Sequence, residues 1–310
     1  MRPLRRQAED LMSATIESTL GQAVEDAAAE LYVWSLKDIP TDLRDALGDA
    51  LEHETHPVGR RILETIHTNV EVADEGKRLV CQDTGIAVYY VRVGEHFPLH
   101  PVRIEDALRE GTRRATLDHP LRSNTVHTLT RKPTGDNTGH RIPHVHWEFV
   151  PDWDGLDVKC VPKGSGSENM SFLKMLVPAD GVKAIKAFVL DSVVGAGGKP
   201  CPPGIVGVGI GGSADLAMHL AKEAIARPVD TSNPDPDVAA LETELFQLLN
   251  ETGVGPMGLG GDTTVLSVHV EQAHTHITLN PVAVNYQCWA ARRASAHIAA
   301  DGTTDFDREF

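Results

Sequence analysis

The sequence predicts a mixed α/β fold, with a helical N-terminal segment followed by a domain built on a mixed sheet. Apolar residues recur at helical spacing through the first quarter of the chain. Beyond it, short runs rich in β-branched residues alternate with further helical patterns, as expected of helices layered on a sheet. Stretches rich in Gly, Pro, Ser and Asn separate the runs. The expected division is a helical segment over 1–58 and a second domain over 59–310.

In chain order, Ala8 to Leu36 carries the first helical pattern, and Asp42 to Leu51 and Val58 to Val72 continue it around Pro57. Ile86 to Val93 reads as a strand stopping at Gly94, and Arg103 to Thr116 returns to helix. Arg131 to Arg141 holds Pro, Gly, Asp and Asn and reads as a long loop, with strands at His144 to Val150 and Leu156 to Val161. The segment Lys163-Gly-Ser-Gly-Ser-Glu-Asn169 is too rich in glycine and serine for a core. It reads either as a flexible loop or as a cradle whose successive N–H groups bind an anion. Ile205 to Ile210 is a short apolar strand running into a glycine turn, then a helix from Ser213, a candidate N-cap, to Ala226. Thr263 to Val270 alternates like a strand, and Pro281 to Gln287 leads into Cys288.

Composition narrows the function. Hydrophobic residues at 41% and charged residues at 24% describe an ordinary globular chain. No run of eighteen apolar residues is present, so no membrane span is expected. Four cysteines in 310 residues and no apolar N-terminal stretch predict a cytoplasmic protein without a disulfide framework. A formal charge of -15 argues against nucleic acid as partner. An acidic substrate would need a local cationic patch against that field, for which Arg122, Arg292 and Arg293 are the candidates.

Three cysteines stand in stretches built to hold something: Cys81-Gln-Asp-Thr-Gly85, Cys201-Pro-Pro-Gly204 and Gln287-Cys-Trp-Ala-Ala-Arg-Arg293. A single Cys is more often a small buried hydrophobe, but turn chemistry around Cys81 and Cys201 is unlike core filler. Zinc is disfavoured, since no Cys-x-x-Cys knuckle or finger spacing of His occurs. Three thiolates are one too few to close an iron–sulfur cluster and suit one with an open iron, which can act as a Lewis acid. A structural or oxygen-sensing cluster is the reading from a different class.

Gly207-Val-Gly-Ile-Gly-Gly212, between a strand and a helix, also fits a dinucleotide fingerprint, with Asp230 as a candidate ribose-binding acid. Cys201-Pro-Pro-Gly204 is unexplained by that rival. His269, in an alternating strand, reads as structural; His274 and His276 are candidates because they fall between two strands expected to end near the cluster.

Taken in order, Cys-Gln-Asp-Thr-Gly, Lys-Gly-x-Gly-Ser-Glu-Asn, Cys-Pro-Pro-Gly-x-x-Gly-Val-Gly-Ile-Gly-Gly and His-Thr-His-Ile…Cys-Trp-Ala-Ala-Arg-Arg resemble the class I (iron–sulfur) fumarate hydratases, from about Gly59 to Ala300. The resemblance implies a cluster-binding domain of that family's N-terminal type. It further implies a [4Fe-4S] cluster with one open iron on Cys81, Cys201 and Cys288, leaving Cys160 out. Substrate contacts implied are Gln82, Asp83, Arg122 and Gly164, with His276 and Asp83 as catalytic residues. One-chain members of the family continue into a second domain, whereas this sequence stops at Phe310. The expectation is therefore the alpha subunit of the two-subunit type, paired with a beta subunit in an α2β2 assembly. The expected reaction is reversible hydration of fumarate to (S)-malate; the alternative is dehydration of L-tartrate to oxaloacetate. The form of the glycine loop and of His-Thr-His-Ile favours fumarate.

Overall fold

A computed structural model describes residues 2–307, with side chains from residue 16 onward. The chain divides into two compact units, each assembled from separate stretches of sequence.

One unit comprises the residues up to Asp38, Cys81–Lys163 and the residues from Arg292. Its helices are α1 (Arg2–Lys37) and α4 (Pro101–Asp118), and its strands β1 (Val88–Gly94), β2 (His144–Val150), β3 (Leu156–Cys160), β8 (Ala294–Ile298) and β9 (Thr304–Asp307). The sheet order is β2-β1-β3-β8-β9, parallel between β1 and β2 and antiparallel elsewhere. Its buried residues alternate along the strands, with Tyr89, Val91 and Val93 opposite Cys160, Val158 and Leu156. The α1 and α4 axes approach closely because Gly111 has no side chain: a Cβ there would lie 2.5 Å from the carbonyl oxygen of Glu25. The buried Tyr89 hydroxyl is satisfied by Thr112 Oγ1 at 2.9 Å, as burial of a phenol requires.

The other unit comprises Ile39–Val80 and Gly164–Ala291. It contains α2 (Thr41–His53), α3 (Pro57–Gly76), α5 (Ser165–Glu168), α6 (Gly181–Ala196), α7 (Ala214–Ala224) and α8 (Pro236–Asn250). Its strands β4 (Phe172–Met175), β5 (Gly204–Gly211), β6 (Val265–Ala273) and β7 (Pro281–Gln287) form a sheet in the order β4-β7-β5-β6. Val206, Val208, Val282 and Val284 pack with Ile185, Val189 and Leu245 from α6 and α8, while Ala283 packs with Ala217 and Ala221 of α7. Helix α7 sits almost on the strand: a Cβ at Gly209 would come 1.9 Å from the carbonyl oxygen of Ala217, and one at Gly207 2.1 Å from that of Ala221.

That packing explains the glycine run without a nucleotide. The α7 N-terminus already carries a carboxylate, Asp215, held ionised by Ser213 and by the first backbone N–H groups of the helix. Ser213 stands at the N-cap position but bonds Asp215 rather than capping a backbone N–H. Asp230 lies exposed in a turn after α7.

The mixed α/β architecture with a helical N-terminal segment is as the sequence predicts. The centre of the glycine–serine segment closes into the single turn α5, with Gly164 as N-cap, rather than forming a flexible loop. Among the described residues, no helix is long and apolar enough to cross a membrane.

Candidate active site

The Cys81 turn is fixed from several sides. Asp83 Oδ1 accepts the Gly85 N–H at 2.9 Å, an Asx-type closure. The Asp83 carbonyl accepts Arg292 Nη1 at 2.7 Å. The buried Thr84 hydroxyl donates to the Arg122 carbonyl at 3.2 Å, and Asn124 Nδ2 donates to Thr84 Oγ1 at 2.9 Å and to the Gly85 carbonyl at 3.1 Å. Tyr32 donates to the same backbone, and its burial pushes the phenol far above its ordinary range, so it remains a neutral donor. Gly85 takes a left-handed φ of 66° against Lys163, where a Cβ would lie 2.7 Å from backbone atoms. This unit therefore gathers Cys81, Gln82, Asp83, Arg122 and Arg292 around one turn, with Gln82 and Arg122 exposed and Cys81 and Asp83 half-buried.

The second unit builds another turn around Cys201 and Cys288. Strands β5 and β7 are antiparallel, with Ile205 opposite Gln287, so the residue run leading into one strand meets the run leaving the other. The Trp289 N–H donates to the Cys201 carbonyl at 3.1 Å, and the Cys201 N–H to the Gly198 carbonyl at 3.1 Å. Cys201 itself has a φ of 56°, uncommon for a residue with a side chain. The next residue, Pro202, receives the Met257 N–H at 2.7 Å. Near the same end lies α5, where a Cβ at Gly166 would be 3.1 Å from the Lys199 carbonyl, so Gly164 is grouped with these two cysteines.

His276 is not grouped with them. It lies with His274 in the exposed connection from β6 to β7, at the end of the sheet where β5 finishes, whereas Cys201 and Cys288 lie where β5 begins. The eight residues of β5 separate the two ends by roughly 25 Å. The expectation that both strands end near the cysteines is thus corrected: β7 does, at Gln287, but β6 runs parallel to β5 and ends at the far side. The Thr278 N–H donates to His276 Nδ1 at 3.2 Å, and the Thr278 hydroxyl lies 2.9 Å from the same nitrogen.

Two polar clusters carry structure without a distinct sequence motif. Glu54, 3% exposed, accepts N–H bonds from His56, Asp262 and Thr263 at 2.9–3.1 Å. It thereby ties the α2–α3 junction to the glycine loop that carries Met257. A glutamate ahead of the His56-Pro57 helix start and a loop dense in glycine are the only sequence signals for it. The buried Glu242, paired with the half-buried Arg227 at 2.8 Å with Glu271 beside it, similarly fixes the α8–β6 contact.

The donor set fits a thiolate-bound group. No disulfide joins the four cysteines. Cys81, Cys201 and Cys288 retain solvent access, whereas Cys160 is fully buried and burial pushes its thiol up to about 12. A thiol so disfavoured from ionising is a poor metal ligand. Arg292, only 2% exposed, leaves its Nε without a hydrogen-bond partner, a buried cationic donor beside the Cys81 turn that suits an anionic group.

The family model described as fumarate hydratase (Fumerase) matches residues 25–297. The chain belongs to that family. As a Fumerase-family member it is a hydro-lyase. A Methanocaldococcus jannaschii chain provisionally named L(+)-tartrate dehydratase subunit alpha is 41% identical over 280 residues, covering 90% of this chain and 98% of that one. The L(+)-tartrate dehydratase subunit alpha of Escherichia coli is 36% identical in strain K12 and 37% in strain UTI89, each over 265 residues, 86% of this chain and 87% of the relative. Among Fumerase-family relatives, these names favour the tartrate alternative over the fumarate preference drawn from the glycine loop.

Proposed function

We propose that this chain is the alpha subunit of an iron–sulfur hydro-lyase that removes water from L-tartrate to give oxaloacetate. The observation that supports the substrate is the similarity, across nearly its full length, to a chain named for L(+)-tartrate dehydratase. Cys81, Cys201 and Cys288 would hold a [4Fe-4S] cluster, and Cys160 would not. When bound, such a cluster with one open iron supplies a Lewis acid for the departing hydroxyl.

The protein's own groups bind and orient. Arg122, exposed beside the Cys81 turn, pairs with a substrate carboxylate by a bidentate charge-assisted contact, and the backbone at Gly164 receives carboxylate oxygens. Asp83 and Gln82 contact the substrate hydroxyls; the Gly85 N–H bond to Asp83 Oδ1 fixes the carboxylate plane for this. Loss of water breaks one C–O and the neighbouring C–H bond, and the enol of oxaloacetate rearranges to the ketone. Removal of the C–H proton falls to a beta subunit, consistent with the subunit naming of the relatives. A part for His276 requires a site other than the one its own sheet builds at the cysteine end.

Hydration of fumarate is the second reading, favoured by the description of the matching family model. Anaerobic turnover of L-tartrate and of fumarate by the cluster-loaded chain with its beta subunit separates the two. Tartrate kcat/KM exceeding that for fumarate by tenfold or more supports the first reading; the reverse order replaces it with the second.

A further inference from the structure

Strand β2 is the edge of its sheet, yet its sequence is His-Val-His-Trp-Glu-Phe-Val and none of its residues is buried. Its neighbour β1 is buried at five of seven positions. Phe149 is 68% exposed, and it stacks with Trp147 at 6.4 Å between ring centroids. Edge strands left to solvent normally carry lysine, proline or a bulge that discourages pairing, and β2 has none of these.

The backbone direction is fixed by the inner pairing. The His144 N–H donates to the Ala87 carbonyl and the Val150 carbonyl accepts the Glu95 N–H, so the even-numbered residues turn their peptide groups inward to β1. In a parallel pair alternate residues face opposite edges, so Val145, Trp147 and Phe149 aim their N–H and C=O groups at the open edge. That pattern selects a register. A two-fold axis through Trp147 pairs all seven residues of β2 with a second, antiparallel β2 and gives about six new backbone hydrogen bonds.

The same register is self-complementary in its apolar side chains, while Glu148 keeps its ion pair with Arg92 of its own chain. The register sets His146 against the second copy's Glu148, Val145 against its Phe149, and Trp147 against its own counterpart. The neighbouring two-fold registers do the opposite: centring on Glu148 opposes two carboxylates, centring on His146 opposes two imidazoles, and each leaves part of the strand unpaired. We infer that β2 is a self-association edge, through which two copies of this chain join their five-stranded sheets into one continuous sheet. The contact goes beyond the hydro-lyase assignment and does not rest on it.

The full chain, with its beta subunit where that copurifies, tests this by cysteine cross-linking under mild oxidation. Residues opposed in a hydrogen-bonded antiparallel pair have Cα atoms about 5.5 Å apart, within disulfide reach. Trp147→Cys is expected to form a covalent dimer, as is an equimolar mixture of Val145→Cys and Phe149→Cys; Val145→Cys alone and the unaltered chain are expected to form none above background. Phe149→Lys, at an exposed position that leaves folding intact, is expected to weaken dimerisation at least tenfold in sedimentation equilibrium. A dimer unaffected by Phe149→Lys and not cross-linked by Trp147→Cys would overturn the inference. So would equal cross-linking of Val145→Cys alone, a monomeric chain, or an α–α band that vanishes when the beta subunit binds.

Discussion

Arg292 donates from Nη1 to the carbonyl oxygen of Asp83 at 2.7 Å, fastening the turn that presents Cys81, Gln82 and Asp83 to a segment that begins four residues after Cys288. The guanidinium is buried, so this is a charge-assisted bond in a low-dielectric setting. Arg292→Lys keeps the charge and loses the planar fork. The expected result is a loss of about 2 kcal/mol of stability by thermal or urea unfolding. Displacement of the turn is expected to lower kcat by roughly 100-fold.

Glu54 predicts a second stability effect of distinct origin. Its carboxylate satisfies three backbone N–H groups at the α2–α3 junction and the glycine loop. Glu54→Gln turns an amide N–H₂ toward one of those donors and is expected to cost roughly 3 kcal/mol, measured by urea unfolding. Because that loop carries Met257, which bonds the Pro202 carbonyl, cluster retention under air is expected to fall as well.

Gly209→Ala places a methyl group inside contact distance of the Ala217 carbonyl. Helix α7 has to move off β5, and overpacking of this kind costs about 1–3 kcal/mol. Differential scanning calorimetry on the variant reads it directly; an unchanged Tm would show that α7 does not pack as described.

Cysteine reactivity separates the thiols. In the chain stripped of metal, iodoacetamide at pH 8 is expected to label Cys81, Cys201 and Cys288, and to leave Cys160 unlabelled until the protein unfolds. Peptide mass spectrometry checks the order.

Asp262 provides a pH dependence with a definite sign. Hydrogen bonds from the Thr55 hydroxyl and N–H hold its carboxyl below the ordinary aspartate value. A lowered native pKa adds stability above the unfolded-state value, about 3.9, and loses it as pH falls through the native one. The Tm of Asp262→Asn is therefore expected to lie below that of the parent at pH 6, with the gap closing toward pH 3. The group is exposed, so the gap is small.

The parts legible in the sequence are those with a local cause. Helical spacing marks α1 through α3, and β-branched runs mark β1, β2, β3 and β5. The glycines at 207 and 209 were visible too, but the sequence does not distinguish a nucleotide turn from a strand on which a helix lies flush; only the Ala217 and Ala221 carbonyls decide that. Helices α6 and α8 went unmarked because their apolar residues, such as Val189 and Leu245, sit among many others without a clean polar face. Strand β8 owes its form to pairing with β3, a partner over a hundred residues earlier, and β9 in turn to pairing with β8. The cysteine turns could be read one by one. The placement of His276 could not, because it depends on β6 running parallel to β5 and so ending away from Cys201.

The central claim is that three accessible cysteines, and not the buried fourth, hold the cluster. Its most direct test is iron and sulfide content with low-temperature EPR on the anaerobically reconstituted, dithionite-reduced chain, comparing Cys81→Ser, Cys201→Ser, Cys288→Ser and Cys160→Ser. The account predicts about four irons and an unaltered signal for Cys160→Ser, and severe loss of cluster in each of the other three. Full cluster in any of those three, or its loss in a correctly folded Cys160→Ser, would contradict it.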